Sequence, residues 1–383
     1  MIARNIENFI RQTAKGYPVI GITGPRQSGK TTLARYIFND KPYVSLETPS
    51  NLEFVVDDPL GFLEKYKEGA IFDEAQRAPQ LFSYLQEIVD SSKEYGRFIL
   101  TGSQQFGLMA GITQSLAGRI ALVQLLPFTM DELYPQNPPA LDTVLTTGLY
   151  PPIHDRNLDP AVWFGNYINT YVERDVRNII QIKDLASFQR FLRLCAGRAG
   201  QLANLSQLAV DAGISHNTAK SWISILEASY ITFLLQPFHT NFNKRLIKTP
   251  KLYFYDTGLL TYLLSIHEET LMSTHPLRGQ IFENFMVSEL LKSRFNRGLP
   301  SNLYFWRDRS GNEIDVILEN GKGVSAIEIK SGQTMNRDFF KGFNFWNRLV
   351  SESQNILVYG GADEMIRNDV VIKSWKNVYT IEP

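Results

Sequence analysis

Residues Gly24–Thr31 read Gly-Pro-Arg-Gln-Ser-Gly-Lys-Thr, which is the pattern G-x-x-x-x-G-K-[ST] of a phosphate-binding loop. The two glycines let the backbone turn its N–H groups toward phosphate oxygens, Lys30 supplies a cation, and the Thr31 hydroxyl is suited to ligate Mg²⁺. The apolar stretch Pro18–Thr23 precedes the loop as a predicted strand, and Thr32–Phe38 follows with helical apolar spacing. This order places phosphate at a helix N-terminus. The predicted nucleotide contacts are Gly24, Pro25, Arg26, Gln27, Ser28, Gly29, Lys30, Thr31 and Thr32.

An acidic motif ends another predicted strand. Residues Gly69–Glu74 are mostly apolar until Asp73 and Glu74, which is the shape of a Walker B strand. Asp73 is expected to hold Mg²⁺ through its water shell, with Thr31 as a direct ligand. Glu74 is expected to orient and polarise an attacking water molecule. Together with the loop, this motif predicts binding and hydrolysis of ATP.

A third predicted strand, Arg97–Ser103, ends in small polar residues. The hydroxyl of Thr101 or of Ser103 is suited to sense the γ-phosphate or to hold the lytic water, and Ser103 is the candidate we select. The alternative is a strand-to-loop turn made with Gly102. The sequence leaves both interpretations open.

Composition limits the other classes of function. The chain has 383 residues, of which 44% are hydrophobic and 20% charged, and this predicts a folded protein of two or three domains. Because 39 basic and 39 acidic residues cancel, any nucleic-acid binding requires a local basic patch. One cysteine, Cys195, allows no intramolecular disulfide. Without an apolar run of spanning length or a signal-peptide core, we expect a cytoplasmic protein that does not contact membranes.

Prolines divide the chain into three predicted domains. Residues 1–126 alternate strands and helices, as expected for the parallel sheet of an α/β P-loop NTPase with helices on both faces. Residues 127–270 follow a proline-rich change of pattern and are mostly helical, and residues 271–383 form a second α/β domain. The strands predicted in the first domain are Val19–Thr23, Tyr43–Leu46, Ala70–Asp73, Phe98–Thr101 and Ile120–Leu125.

The middle domain contains a predicted helix-turn-helix at Leu205–Tyr230, with Gly213 in the turn and Ser215 as the cap of the second helix. Two strands, Ile231–Pro237 and Lys251–Tyr255, are then expected to form a wing. One interpretation is a winged helix that binds DNA, and the other is a helical packing module attached to an ATPase. The expected phosphate contacts of the wing are Lys244, Arg245, Lys248 and Lys251.

The third domain gathers charge on neighbouring predicted strands. Asp315 lies on one strand, and Glu328 and Lys330 lie on the next, where alternation sends both to one face. Glu283, on the predicted helix Leu277–Phe295, is expected to point inward. Three carboxylates suit Mg²⁺ or Mn²⁺, and an adjacent lysine suits phosphate chemistry, whereas the alternative is a surface charge ladder. The last predicted strands are Asn355–Tyr359 and Val378–Ile381.

Together these stretches resemble a prokaryotic AAA+ family with an N-terminal AAA domain, a winged-helix-like middle domain and a C-terminal PD-(D/E)xK restriction-endonuclease-like domain. The resemblance covers nearly the whole chain. It implies ATP binding and hydrolysis and a nuclease-like fold. It also implies an arginine-finger role for Arg119, for which a structural salt bridge is the alternative. It rests on Gly24–Thr32, Ile71–Pro79, Leu100–Ser103, Ser115–Arg119, Leu126–Phe128, Glu132–Leu133, Tyr253–Gly258 and the E-x-K strand.

The sequence therefore predicts a Mg²⁺-dependent AAA+ ATPase that couples its nucleotide state to a nuclease-like domain acting on DNA. Its expected partners are ATP, DNA and further copies of the chain, which would associate through the AAA domain. Two other interpretations stay open: a nucleotide-gated DNA-binding or regulatory protein with an inactive nuclease-like domain, and an ATP-dependent nuclease. The predicted catalytic residues are Lys30, Glu74, Ser103 and Arg119, the predicted metal ligands are Thr31 and Asp73, and the predicted nuclease-like site is Glu283, Asp315, Glu328 and Lys330.

Overall fold

A computed structural model describes residues 2–103, 115–172, 184–238, 247–321, 323–350 and 352–381. The chain forms two compact units. The first unit contains Met1–Phe128 together with two short later segments, Ala228–Tyr230 and Arg294–Leu299. The second unit contains the rest of the chain.

The first unit is built on a five-stranded parallel sheet with the strand order β2-β3-β4-β1-β5. All five predicted strands are present, and their ends differ from the prediction by at most one residue. The parallel arrangement confirms the predicted α/β fold of this part of the chain. The strands are β1 (Val19–Thr23), β2 (Tyr43–Ser45), β3 (Ala70–Asp73), β4 (Phe98–Gly102) and β5 (Ile120–Gln124).

Apolar cores cover both faces of this sheet, because successive strand residues point to opposite sides. Phe72 and Phe98 stack in one core, and their neighbours Ile71 and Ile99 belong to the other. The helices of the unit are α1 (Glu7–Thr13), α2 (Lys30–Ile37), α3 (Pro49–Asp57), α4 (Pro59–Lys65) and α5 (Leu81–Asp90). Helices α1 and α2 cover one face, and α3, α4 and α5 cover the other.

The two later segments of the first unit contact residues near its N-terminus. The Tyr230 hydroxyl donates a hydrogen bond of 2.9 Å to Thr23 Oγ1 at the end of β1. A Cβ atom at Gly298 would lie only 2.1 Å from the Phe9 ring, so this glycine permits a close approach. Residues about 200 and 290 positions apart along the chain therefore complete the first unit.

The second unit begins with helices and includes the predicted helix-turn-helix. Asn204 caps the first of these two helices, Gly213 follows it with a φ of 72°, and Ser215 Oγ accepts a hydrogen bond from Thr218 N, 3.1 Å, at the start of the second. The helices are α6 (Met130–Leu133), α7 (Leu141–Thr147), α8 (Pro151–Asp155), α9 (Pro160–Tyr167), α10 (Leu185–Ala196), α11 (Leu205–Ala212), α12 (His216–Ala228), α13 (Thr257–Leu263), α14 (Glu269–Thr274), α15 (Arg278–Asn296) and α16 (Lys341–Trp346).

A mixed eight-stranded sheet forms the other part of the second unit, with the order β12-β13-β11-β10-β9-β8-β6-β7. The predicted strand Asn355–Tyr359 is present, and Asp315 lies on one strand with Glu328 and Lys330 on its neighbour, as predicted. The strands are β6 (Thr232–Pro237), β7 (Lys251–Phe254), β8 (Leu303–Arg307), β9 (Glu313–Asn320), β10 (Gly323–Lys330), β11 (Ser353–Tyr359), β12 (Met365–Arg367) and β13 (Val370–Ser374).

The expected wing is different in the structure. Strands β6 and β7 do form an antiparallel pair, but β6 also pairs with β8, so the hairpin extends the C-terminal sheet. All four residues of β7 are buried, Lys251 among them, whereas a wing that contacts DNA needs exposed residues. Lys248 is exposed, and Lys244 and Arg245 lie outside the described residues.

The last predicted strand is wrong. Residues Trp375–Thr380 form a 3-10 helix, and the edge of the sheet is instead completed by β13 and β12. Val378 and Ile381 are both buried, and their spacing of three places them on one side of a 3-10 turn, whereas on a strand they would point to opposite faces. Across the described ranges, no helix has the length and apolar character needed to cross a membrane.

Candidate functional site

The phosphate-binding loop lies between β1 and α2, at the carboxyl edge of the parallel sheet. Gly24 has a φ of 146°, and a Cβ atom there would lie 2.1 Å from the Leu125 carbonyl oxygen. Gly29 has a φ of 93° and directly precedes α2. Both positions therefore require glycine, as the motif predicts. Arg26 and Gln27 are partly buried and Thr32 is exposed on α2.

Two side chains of the loop have the properties of phosphate ligands. Lys30 is buried, and its ammonium donates hydrogen bonds to the carbonyl oxygens of Gly24 (3.0 Å) and Pro25 (2.7 Å). The ammonium thus lies against the backbone at the start of the loop. The buried hydroxyl of Ser28 has no hydrogen-bond partner among the described residues. An unsatisfied hydroxyl and a cation beside glycines with positive φ fit a bound phosphate chain.

Asp73 is held by three hydroxyl groups at the end of β3. Thr31 Oγ1 donates to Asp73 Oδ1 at 3.0 Å, Tyr43 donates to Oδ2 at 2.7 Å, and Thr101 makes a short hydrogen bond to Oδ1. Burial and the hydrogen bond to Asp73 raise the pKa of Tyr43 to about 12, so Tyr43 remains a donor at neutral pH. The pairing of Thr31 with Asp73 fits a Mg²⁺ ion that both residues would hold.

Glu74 has an unusual backbone conformation. Its φ of 55° and ψ of 46° are left-handed, which is uncommon for a residue other than glycine, asparagine or aspartate. Its Oε2 atom accepts a hydrogen bond of 3.1 Å from Ser103 and a short one from Gln76. Ser103 and Gln76 therefore fix the direction of the Glu74 carboxylate. The sequence predicts Ser103 at this site but gives no sign of Gln76.

Arg4 is a further residue that sequence reasoning missed. Its buried guanidinium donates to the carbonyl oxygens of Ser28 (3.0 Å) and Leu126 (2.8 Å), and it lies 4.7 Å from the centroid of the Phe128 ring. Arg4 thus ties the phosphate-binding loop to the chain that follows β5. Nothing in the sequence around Arg4 indicates this, because its partners are backbone atoms of distant residues.

Arg119 lies at the start of β5 and pairs with Asp90. Its Nε and Nη2 atoms lie 2.5 Å and 2.8 Å from the two carboxylate oxygens of Asp90, so the pair is bidentate. This hydrogen bonding lowers the pKa of Asp90. About a third of the Arg119 side chain is exposed. The structure therefore contains the Arg119 salt bridge that the sequence leaves open as the alternative to an arginine finger.

In the second unit, β9 and β10 bring Asp315, Glu328 and Lys330 together. The ammonium of Lys330 lies 3.0 Å from Asp315 Oδ2 and in short contact with Glu328 Oε2. The Ile329 N–H also donates to Asp315 Oδ2, at 2.7 Å. Burial and repulsion by Asp315 raise the pKa of Glu328 to about 8. For Asp315, Lys330 and Lys251 outweigh burial, and its pKa is lowered.

Glu283 joins the same cluster through a second lysine. Lys251 Nζ lies 2.9 Å from Glu283 Oε1 and in short contact with Glu313 Oε1, and Tyr253 donates to Glu283 at 2.6 Å. Among the described residues, no group of three His, Cys, Asp or Glu side chains is arranged to hold a metal ion. With the Lys251 ammonium in contact with both Glu283 and Glu313, these two carboxylates do not fit a divalent cation. Sequence reasoning missed both Lys251 and Glu313 in this role, because it assigned Lys251 to the wing.

Arginines gather beside the helix-turn-helix. A groove of about 610 Å³ is lined by Arg190, Arg193 and Arg198, all from α10 and the turn after it, and by Gln201. Arg190 donates to the Ala212 carbonyl oxygen at 3.4 Å, next to the turn at Gly213. Arg198 pairs with Asp211, but its buried Nη1 atom has no hydrogen-bond partner among the described residues. These groups make a local basic surface in a chain whose net charge is zero.

Comparison with protein families divides the chain into three matches. Residues 16–134 match a family described as an AAA domain. Residues 139–270 match the domain of unknown function DUF8612, and residues 278–378 match the domain of unknown function DUF4143. The predicted AAA-type ATPase domain is therefore confirmed, whereas these matches do not establish a nuclease-like C-terminal domain.

Two mycobacterial relatives are similar over most of the chain. Mb2031c of Mycobacterium bovis and Rv2008c of Mycobacterium tuberculosis are each 31% identical over 328 residues, which is 85% of this chain and 73% of the relative. Among solved structures, the Walker-type ATPase PABY2304 of Pyrococcus abyssi is 16% identical with a TM-score of 0.47, covering 69% of this chain and 96% of that one. AMPPCP-bound DnaA of Aquifex aeolicus is 16% identical with a TM-score of 0.32, covering 58% of this chain and 85% of that one.

Proposed function

The chain belongs to the family of the mycobacterial proteins Rv2008c and Mb2031c and carries an AAA domain, and from this premise we propose that it is a Mg²⁺-dependent ATPase. The observation that carries the proposal is the meeting of Lys30, the Thr31–Asp73 pair and Glu74 at one edge of the parallel sheet. These groups bring a cation, a pair of oxygen ligands and a water-orienting carboxylate to a glycine-rich loop.

Each residue has a distinct task in this mechanism. The loop N–H groups and Lys30 would bind the phosphate chain, and the Ser28 hydroxyl offers a further donor. Mg²⁺, held by the Thr31 hydroxyl and the Asp73 carboxylate, would neutralise phosphate charge. Glu74 would accept a hydrogen bond from the attacking water and orient it toward the γ-phosphate. Ser103 and Gln76 keep the Glu74 carboxylate in a fixed direction, and thus act as positioning residues.

Nucleotide binding is the first property to test. Lys30→Ala removes the buried cation of the loop, so we expect the affinity for a fluorescent ATP analogue to fall by at least about tenfold, since charge-assisted contacts are worth about 1.5–3 kcal/mol. Lys93→Ala is the matched control, because Lys93 is an exposed lysine of the same unit. Equal affinities of Lys30→Ala and wild type would contradict the proposal.

The C-terminal domain is proposed to have a nuclease-like fold that responds to the nucleotide state. The order of α15, β9 and β10, and the convergence of Asp315, Glu328 and Lys330, support this fold. Because the Lys251 ammonium contacts the carboxylates of Glu283 and Glu313, we assign no metal-dependent cleavage to it. The interpretation that fits best is an ATPase that regulates the binding of a partner by the rest of the chain.

DNA binding by the second unit is a second candidate function, and one observation favours it. The basic groove lined by Arg190, Arg193 and Arg198 lies beside the turn of the helix-turn-helix, and His216, Asn217 and Lys220 are exposed on α12. A helix that presents polar side chains next to a row of guanidinium groups suits a duplex, with bases contacted by the helix and phosphates by the arginines.

Salt dependence of DNA binding tests this candidate. In a fluorescence anisotropy titration with a labelled duplex, Arg190→Gln/Arg193→Gln should bind more weakly than wild type at every salt concentration. The slope of log affinity against log salt should also become shallower by about 1 for each arginine that no longer binds a phosphate. Lys93→Gln removes a positive charge in the first unit and serves as the control. An unchanged affinity and slope in the double variant would exclude this groove as a DNA site.

A further inference from the structure

The buried charged cluster of the second unit contains an internal lysine, Lys251, beside the carboxylates of the predicted nuclease-like site. Four carboxylates belong to the cluster: Glu283 on α15, Glu313 and Asp315 on β9, and Glu328 on β10. Lys330 comes from the E-x-K strand itself. Lys251 comes from β7, which is remote in sequence and lies at the edge of the same sheet.

Lys251 is unusually well enclosed for a lysine. Its side chain is 3% exposed, and its ammonium contacts both Glu283 and Glu313 and lies 5.6 Å from the centroid of the Phe305 ring. Burial disfavours the charged ammonium, but the carboxylates of Glu283 and Glu313 that contact it favour the charged form. Lys251 therefore stays charged inside the fold.

The contacts of Lys251 show why the position is a cation site. Two carboxylates that contact one nitrogen atom are close enough to share one ion. Tyr253 also donates to Glu283, and Arg307 lies 3.2 Å from Glu313, so each of these carboxylates has one further partner. With Lys251 in place, a divalent ion at this point would meet the ammonium at close range and be repelled.

We propose that Lys251 is the resident cation of this site, that it occupies the place of a divalent metal, and that its presence keeps the site free of Mg²⁺ and Mn²⁺. The inference rests on the nuclease-like fold proposed above. It predicts that removal of the Lys251 ammonium turns the cluster into a site for one divalent ion, with Glu283, Glu313 and Asp315 as oxygen ligands.

Binding of Mn²⁺ to the full chain, measured by the loss of the free-ion EPR signal, tests the inference. All variants carry Asp73→Asn and contain no nucleotide, so the phosphate-binding loop contributes no carboxylate site. With Lys251 present we expect no Mn²⁺ site in this cluster. Lys251→Met keeps the length of the side chain and removes its charge, and should gain one site at least about tenfold tighter than any residual binding. Lys248→Met is the matched control, because Lys248 is exposed near the same strand and should gain none.

Two further variants assign the site and guard against misfolding. Adding Glu283→Gln and Glu313→Gln together to Lys251→Met should abolish the gained site. If Lys251→Met alone fails to fold, Lys251→Met/Glu283→Gln removes one buried charge of each sign and should still gain a weaker site through Glu313 and Asp315. The inference is overturned if the chain with Lys251 binds Mn²⁺ and Asp315→Asn abolishes that binding, or if no folded Lys251 variant gains a site. Nucleotide binding by Lys30→Ala reports on the ATPase proposal independently, so the two cannot fail for the same reason.

Discussion

At the scale of single residues, Glu74 illustrates how the site sets a carboxylate in place. A left-handed conformation at a residue other than glycine costs of the order of 1 kcal/mol, and such strain is common at functional sites. The hydrogen bonds from Ser103 and Gln76 help to offset that cost and fix the carboxylate. The carboxylates of Asp73 and Glu74 thus have separate hydrogen-bond partners, although the two residues are neighbours in the chain.

Arg119 is the residue for which the structure allows the sharpest distinction between two roles. If Arg119 only pairs with Asp90, Arg119→Ala should leave ATP turnover unchanged and change the free energy of unfolding little, since the pair lies at the surface. If it acts as an arginine finger for another copy of the chain, turnover should fall by roughly 10³-fold or more at unchanged ATP affinity. We expect the finger result only where the chain self-associates.

Mixing variants separates these roles further. Arg119→Ala retains its own Glu74, and Glu74→Gln retains its own Arg119. In a shared interface a mixture of the two should therefore recover part of the missing phosphate release, at concentrations where sedimentation shows association. Asp90→Ala serves as the matched control, because it breaks the salt bridge and leaves the guanidinium available. Full turnover by Arg119→Ala alone would rule out the finger role.

The residues at the nucleotide site divide into those that sequence reasoning reached and those that it did not. Lys30, Thr31, Asp73 and Glu74 follow from motifs, because the chemistry constrains both their identity and their spacing. Arg4 and Tyr43 do not, because each acts through a contact made by the fold: Arg4 binds carbonyl oxygens of distant residues, and Tyr43 reaches Asp73 from the neighbouring strand. No local pattern marks such contacts.

At the scale of elements, the turn of the helix-turn-helix shows a local rule that the structure obeys. Gly213 ends α11 with a φ of 72° and ψ of 35°, the conformation that glycine adopts most readily at a helix C-terminus. A Cβ atom there would meet only Arg190 Nη1 at 3.8 Å, so added volume is not the obstacle. The turn is constrained by backbone conformation alone.

The left-handed conformation of Gly213 predicts that substitutions at this position destabilise the protein. Gly213→Ala should lower the free energy of unfolding by about 1 kcal/mol, because alanine disfavours the left-handed region by that amount, and Gly213→Asn should cost less. Urea unfolding followed by circular dichroism measures the difference. Gly321→Ala is the control, since a Cβ atom there meets nothing within 4 Å and the φ of Gly321 is not positive. Equal stabilities of Gly213→Ala and Gly321→Ala would contradict the assignment.

The hairpin of β6 and β7 marks the limit of prediction at this scale. Its two strands follow from β-branched and aromatic residues, but their place in the C-terminal sheet depends on the pairing of β6 with β8, more than 60 residues later. The charge of Lys251 suggests an exposed strand, and only the nearby Glu283 and Glu313 make its burial tolerable. The burial of β7 and its place in the sheet thus depend on residues that lie far away in the sequence.

At the scale of the whole molecule, the first compact unit includes two segments that are remote in sequence from the rest of it. The first unit includes Ala228–Tyr230, which ends α12, and Arg294–Leu299, which ends α15. Tyr230 hydrogen-bonds to Thr23, the residue before the phosphate-binding loop. The helix that carries Glu283 and the helix beside the basic groove therefore each end in a segment that belongs to the first unit.

Phosphate release from ATP is the measurement that tests the central claim most directly. We predict Mg²⁺-dependent release by the wild type and by the control Glu87→Gln, which alters an exposed glutamate of α5. Glu74→Gln should bind ATP with unchanged affinity but release phosphate roughly 10²-fold to 10⁴-fold more slowly, because the amide keeps the shape of the side chain and loses the charge that orients the water. Release by Glu74→Gln at the wild-type rate, or a wild type that binds ATP and releases none, would contradict the assignment of this chain as an ATPase with Glu74 at its catalytic centre.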